Sequence, residues 1–168
     1  KLHQAKWRRS QQQFLLEGTH LIQEALLADY PLDVACYTPA WRARYGDLAT
    51  MLDTAAQRSE MVDDSVLQSI ATTVHPDGVV AVAPQRQWQK DSATLPKLGL
   101  LVETLQDPGN LGTIIRTAAA AGADGLWLST DSVAPDHPKV LRASAGQWFR
   151  LPLWVTDQVA DQVHHWQQ

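Results

Sequence analysis

Residues Leu98 to Ser129, LGLLVETLQDPGNLGTIIRTAAAAGADGLWLS, pass from an apolar segment through a tight turn and an amphipathic segment to a second apolar segment, with no spacer between them. That succession reads as strand, turn, helix, strand, and commits the chain to a parallel β–α–β unit with a right-handed crossover. Leu98, Leu100, Leu101, Val102 and Leu105 suit a buried strand of a parallel sheet. In Asp107-Pro108-Gly109-Asn110 the proline presets φ at the second turn position and the glycine accepts positive φ at the third. Asn110 is then expected to cap the following helix. Leu111, Ile114, Ile115, Ala118, Ala119 and Gly122 recur at helical spacing as one buried face. Thr113, Arg116, Thr117 and Ala120 occupy the other, which makes Arg116 a lone cation among small side chains. It is expected one to two turns into a helix whose free N–H groups favour an anion. A doubly wound sheet binds its ligand at such a place, outside the carboxyl end of a strand.

The rest of the 168 residues alternates in the same manner. A basic helix before Ser10, a short strand at Phe14-Leu15-Leu16, a helix capped by Thr19 with Leu21, Ile22, Ala25 and Leu26 inside, and a strand from Leu32 to Tyr37 open it. Helical composition then runs from Trp41 to Arg58. Met61-Val62 reads as a minimal strand, Asp64 or Ser65 caps a helix from Val66 to Ala71, and Gly78 to Ala83 reads as a strand. From Gln85 to Lys97 periodicity stops and polar residues with proline take over, which predicts a boundary between residues 1–84 and 98–168, with 85–97 as linker. After Ser129 a polar loop leads to a helix containing Lys139 to Gly146, a strand from Leu151 to Val155, and a further helix after Asp157. The pattern is that of an α/β protein.

Composition narrows the functional classes. With 45% hydrophobic and 19% charged residues the chain folds around a core, and its net charge of −4 excludes a protein that coats nucleic acid by bulk charge. Charge is nevertheless local, since Lys1, Lys6, Arg8 and Arg9 all precede the first acid, Glu17. One cysteine, Cys36, excludes an internal disulfide and a cysteine-cluster metal site, which suits a reducing, cytoplasmic setting. No apolar run reaches the length of a membrane span and no leader is evident, so no membrane partner is expected. His75, His137, His164 and His165 stand apart from acids at ligand spacing, and no metal is expected.

Asp107, Pro108, Asn110, Gly112 and Arg116 form D-P-x-N-x-G-x-x-x-R, which resembles the first signature motif of the SpoU (TrmH) family of RNA 2′-O-ribose methyltransferases. Lys139-Val140-Leu141-Arg142-Ala143-Ser144-Ala145-Gly146 is similar to the segment that follows it in that family. Glu17-Gly18 with Glu24-Ala25-Leu26, and Pro76-Asp77-Gly78 before the valine strand, resemble the small ribosomal-protein-like domain that precedes many SpoU catalytic domains. The resemblance implies a small α/β RNA-binding domain followed by the front part of a parallel-sheet SPOUT (α/β knot) methyltransferase domain. It implies S-adenosylmethionine as cofactor, RNA as partner, ribosomal rather than transfer RNA, and a homodimer. Arg116 and Asn110 are the expected catalytic residues. Lys6, Arg8, Arg9, Lys139, Arg142 and Ser144 are the expected RNA contacts. Family members carry two later motifs, a glycine-glutamate turn and a serine-asparagine stretch, that build the knot and most of the donor pocket. Neither is found before Gln168, so the cofactor residues are expected beyond it, in a longer parent enzyme.

Two other readings stay open. A non-catalytic RNA-binding module would keep the front domain without the chemistry. A nucleotide-binding α/β domain would use the Asn110 helix start for a phosphate, but it would lack a P-loop lysine and an acidic ribose ligand at the usual distance.

Overall fold

A computed structural model describes residues 1–85 and 96–167. The chain divides into two compact units, Lys1–Gln85 and Arg86–Gln168. The expected linker, apart from its ends, lies outside the described residues.

The first unit runs α1 (Ala5–Gln11), β1 (Gln13–Glu17), α2 (Thr19–Leu27), β2 (Leu32–Tyr37), α3 (Pro39–Arg44), α4 (Gly46–Ala55), β3 (Ala56–Met61), α5 (Asp64–Ile70) and β4 (Val79–Pro84). Its sheet has the order β1-β4-β2-β3, with β2 and β3 parallel and the other pairs antiparallel. Strand alternation sends Phe14, Leu16, Ala35, Tyr37, Val79, Ala81 and Ala83 to one face, all of them buried. Leu15 and Val80, on the other, join Leu67 of α5 and Ala71 in a second core cluster.

Three expectations need correction here, the smallest being the α5 cap, which falls at Asp63 and not at Asp64 or Ser65. The helical stretch from Trp41 to Arg58 is two helices and the start of a strand. It breaks at Tyr45, whose φ of −124° and ψ of 47° are not helical. Ala56 to Met61 then pair with β2, and Gln57, Arg58, Glu60 and Met61 are exposed because β3 is an edge strand. The α2 cap differs as well. Gly18, at φ +100°, takes the cap position, and the Asp77 carboxylate accepts the Thr19 N–H at 2.9 Å.

The second unit runs β5 (Gly99–Val102), α6 (Pro108–Ala120), β6 (Gly125–Ser129), α7 (Pro138–Ala143), a 3₁₀ turn (Gln147–Phe149), β7 (Leu153–Thr156) and α8 (Val159–Trp166). Its strands form one parallel sheet in the order β5-β6-β7. All five residues of the central β6 are buried. Those of β5 are only partly covered, a correction to the buried strand expected there: within the described sheet β5 has a neighbour on one side only. Trp127 and Trp154 stack across β6 and β7 at 4.3 Å between ring centroids, and Trp166 of α8 meets Trp127 edge-on at 4.7 Å. Among the described residues no helix is long and apolar enough to cross a membrane.

Candidate functional site

The helix that follows β5 starts earlier than its sequence suggests. Pro108 is its first residue, and the Asp107 carboxylate accepts the Asn110 N–H at 2.7 Å. Proline at the first helical position has a φ already suited to the helix and no N–H to leave unsatisfied, so Asp107-Pro108-Gly109-Asn110 is a cap and a first turn. Gly109 is helical rather than at positive φ, and Asn110 is not the cap. The helix ends in a Schellman motif, with the Gly122 N–H on Ala119 O (3.1 Å) and the Ala123 N–H on Ala118 O (2.9 Å). Gly122, at φ +73°, is thus exposed beyond the helix and no part of its buried face. That face is Leu111, Gly112, Ile115 and Ala118.

This start changes the electrostatics. A carboxylate already occupies the place where an anion was expected, and its charge favours the positive end of the helix. Arg116 lies eight residues past Pro108, about 12 Å along the axis, beyond the turn where the helix dipole is felt. What Arg116 offers is exposure: its side chain is open to solvent and has no hydrogen-bond or ion-pair partner among the described residues. Asn110 is exposed too, but successive 100° steps put it about 120° from Arg116 around the helix and about 9 Å along it. The two side chains therefore leave the helix in different directions.

Beside this helix lies α7. A Cβ on Gly112 would meet Ala143 Cβ at 2.3 Å, so the glycine of the motif is where the two helices touch. Of the residues expected to contact RNA here, Lys139 is exposed and Arg142 is half-buried. Ser144 is 0% exposed and its hydroxyl donates to Leu141 O at 2.7 Å, so it packs the helix end and does not face RNA. In the first unit, Lys6 and Arg9 are exposed, with the Lys1 and Lys6 ammonium groups 5.4 and 6.0 Å from the Trp7 ring centre. Arg8 is a correction: it is 1% exposed and donates to the Leu2 and His3 carbonyls, both at 3.3 Å, holding the first residues of the chain.

Sequence reasoning missed the polar cluster at the carboxyl ends of β5 and β6. Thr104, Ser129, Asp131 and Ser132 bond one another there, and Gln106 reaches the Asp131 carbonyl at 2.6 Å. Hydrogen bonds from Ser129 and Thr104 hold the Asp131 carboxyl below the usual carboxylate range. The signal was the Ser-Thr-Asp-Ser run after an apolar strand, read only as a polar loop.

A parallel sheet, a D-P-x-N-x-G-x-x-x-R helix at its carboxyl edge and a small mixed-sheet unit before it define the class: a parallel-sheet α/β domain preceded by a small mixed α/β domain. Residues 97–168 match the SpoU rRNA Methylase family and residues 1–81 the MRM3-like substrate binding domain. The chain belongs to the SpoU (TrmH) family of methyltransferases. It is 48% identical over 151 residues to an uncharacterized tRNA/rRNA methyltransferase of Synechocystis, covering 90% of this chain and 55% of that protein. It is 33% identical to the Bacillus subtilis 23S rRNA guanosine 2′-O-methyltransferase RlmP, covering 91% of this chain and 58% of RlmP. The AdoMet-bound rRNA methyltransferase from Sinorhizobium meliloti superposes with a TM-score of 0.79 at 28% identity, over 99% of this chain and 62% of that one. The chain thus spans little more than half the length of these curated relatives.

Proposed function

We propose that the protein carrying this chain transfers a methyl group from S-adenosylmethionine to a ribose 2′-hydroxyl of RNA, with ribosomal RNA as substrate. The observation that carries this reading is Arg116: an exposed guanidinium without a partner among the described residues, on the helix leaving the carboxyl edge of a parallel sheet. A ribose hydroxyl is a poor nucleophile at neutral pH, so transfer needs alignment and stabilisation of the oxygen as its proton leaves. Arg116 supplies a fixed positive charge and a fork of donors to that oxygen or to the adjoining phosphate. It does not accept the proton, because a guanidinium keeps its own. The Asn110 side chain, relieved of capping by Asp107, is available to hydrogen-bond the ribose. Lys6, Arg9, Lys139 and Arg142 are the RNA-contacting cations in this reading.

S-adenosylmethionine supplies the methyl group as a sulfonium. The polar side chains nearest the carboxyl ends of β5 and β6, Thr104, Gln106, Ser129, Asp131 and Ser132, are engaged with one another. They do not make a pocket for the donor by themselves. A homodimer and a cytoplasmic setting belong to the same reading.

The same engaged cluster favours one rival, an RNA-binding module without chemistry. One experiment separates them: purify the intact gene product, incubate it with labelled S-adenosylmethionine and total RNA, and map the methylated positions. Label on ribose 2′-oxygens is the expected result. RNA binding without transfer would establish the module.

A further inference from the structure

Thr104 adopts φ +54°, a left-handed conformation in which a β-branched residue is an outlier. Such a conformation persists only where the surroundings over-determine it. Here they do. The Thr104 N–H donates to Ser129 Oγ at 2.8 Å, and the Thr104 hydroxyl donates to Asp131 Oδ2 at 2.9 Å. The Ser129 hydroxyl donates to Asp131 Oδ1 at 2.5 Å and lies 2.9 Å from Ser132 Oγ, which accepts the Leu105 N–H at 3.1 Å. Leu105 O in turn accepts the Val133 N–H at 2.7 Å. One carboxylate therefore anchors hydroxyls from the ends of two adjacent strands.

Asp131 is exposed, outside every helix and strand, so the core does not depend on it. What it governs is the path from Glu103 to Asp107, and Asp107 is the cap from which α6 and its Asn110 begin. We propose that Asp131 is a positioning residue for methyl transfer: through Ser129 and Thr104 it fixes the turn that sets Asn110 and the start of α6 against the ribose. The role rests on the functional reading above. Both carboxylate oxygens act as acceptors, and the hydrogen bonds that keep the group ionised are the ones that hold the turn. An alanine removes both acceptors, whereas an asparagine keeps one.

The test compares wild type, Asp131→Ala and Asp131→Asn in the intact gene product. It measures kcat and KM for RNA methylation, the thermal midpoint, and amide exchange over residues 103–107. Asp131→Ala is expected to lower kcat at least about tenfold, since small misplacements of reacting groups have effects of this size. The RNA KM should stay within about twofold and the thermal midpoint within a few degrees, while exchange at 103–107 accelerates; Asp131→Asn recovers part of both losses. Unchanged kcat or unchanged exchange in Asp131→Ala overturns the positioning role. So does a kcat loss that only follows loss of folded protein. A wild type that transfers no methyl to RNA overturns the functional reading itself, a distinguishable result.

Discussion

Gly112 of α6 and Ala143 of α7 meet with no room for a methyl group: a Cβ at Gly112 would lie 2.3 Å from Ala143 Cβ and 2.8 Å from the Ala143 carbonyl carbon. In an isolated helix Gly→Ala is worth roughly 1 kcal/mol of added stability. Overpacking costs about 1–3 kcal/mol, and backbone on the far side cannot yield by rotating a side chain. Gly112→Ala should therefore lower the thermal midpoint despite its better propensity, with partial recovery in Gly112→Ala, Ala143→Gly. A raised midpoint in the single variant would refute this packing.

Arg8 and Arg9 are neighbours with opposite duties. Removing the buried Arg8 as Arg8→Met should destabilise the first unit by roughly 1.5–3 kcal/mol in urea titration, the range for hydrogen bonds made by charged groups. Arg9→Ala should cost no more than about 0.5 kcal/mol. If Arg9 neutralises one RNA phosphate, its loss makes the plot of log affinity against log salt shallower by about 0.7–0.9. Equal stability effects from both variants would contradict this division.

At the start of α6, Asp107→Ala removes the cap and should cost about 0.5–2 kcal/mol. Asn110→Ala takes away no capping bond, since only its backbone N–H is used, and should leave the unfolding midpoint nearly unchanged. Chemical denaturation of the two variants decides which residue caps the helix.

In the first unit the Tyr37 hydroxyl donates to Asp53 at 2.7 Å and accepts from Arg42 at 2.6 Å. Burial, then the bond and charge of Asp53, push the Tyr37 phenol above its ordinary value, against the opposing pull of Arg42. The folded chain therefore keeps this proton longer than the unfolded one. The associated stability is complete below about pH 10, the unfolded value, and is lost as pH rises through the folded one. Phenolate absorbance, assigned by difference from Tyr37→Phe, should show a late titration that Asp53→Asn moves earlier. A midpoint at or below the ordinary value would contradict the geometry.

Elements with one buried face were legible in the sequence, because a period of two or of 3.6 survives wherever side chains alternate between core and water. Strand β3 was not, since an edge strand with Gln57, Arg58 and Glu60 exposed has no apolar alternation to read. The motif at Asp107 to Arg116 was visible as residues, yet its cap was misplaced by three positions, because proline at a helix start and proline in a β-turn look alike in sequence. Arg8 and Ser144 read as RNA contacts in sequence for a different reason: their burial follows from tertiary placement, Arg8 bonding the Leu2 and His3 carbonyls and Ser144 lying at the end of α7 next to Ala143, which packs on α6. The Asp131 cluster joins residues some twenty-five apart in sequence. Only the parallel register of Val102 on Leu128 brings Thr104 beside Ser129 and Asp131.

The central claim is that Arg116 serves chemistry and not the fold. The direct measurement is the single-turnover rate of RNA ribose methylation by the intact gene product with Arg116, Arg116→Lys and Arg116→Ala, alongside their thermal midpoints. Loss of a preorganised charge at the reacting oxygen is worth about 10²–10³ in rate. The account predicts a loss of that size in Arg116→Ala, little rescue by lysine's point charge, and midpoints unchanged from wild type. A rate within a few-fold of wild type in Arg116→Ala would contradict it.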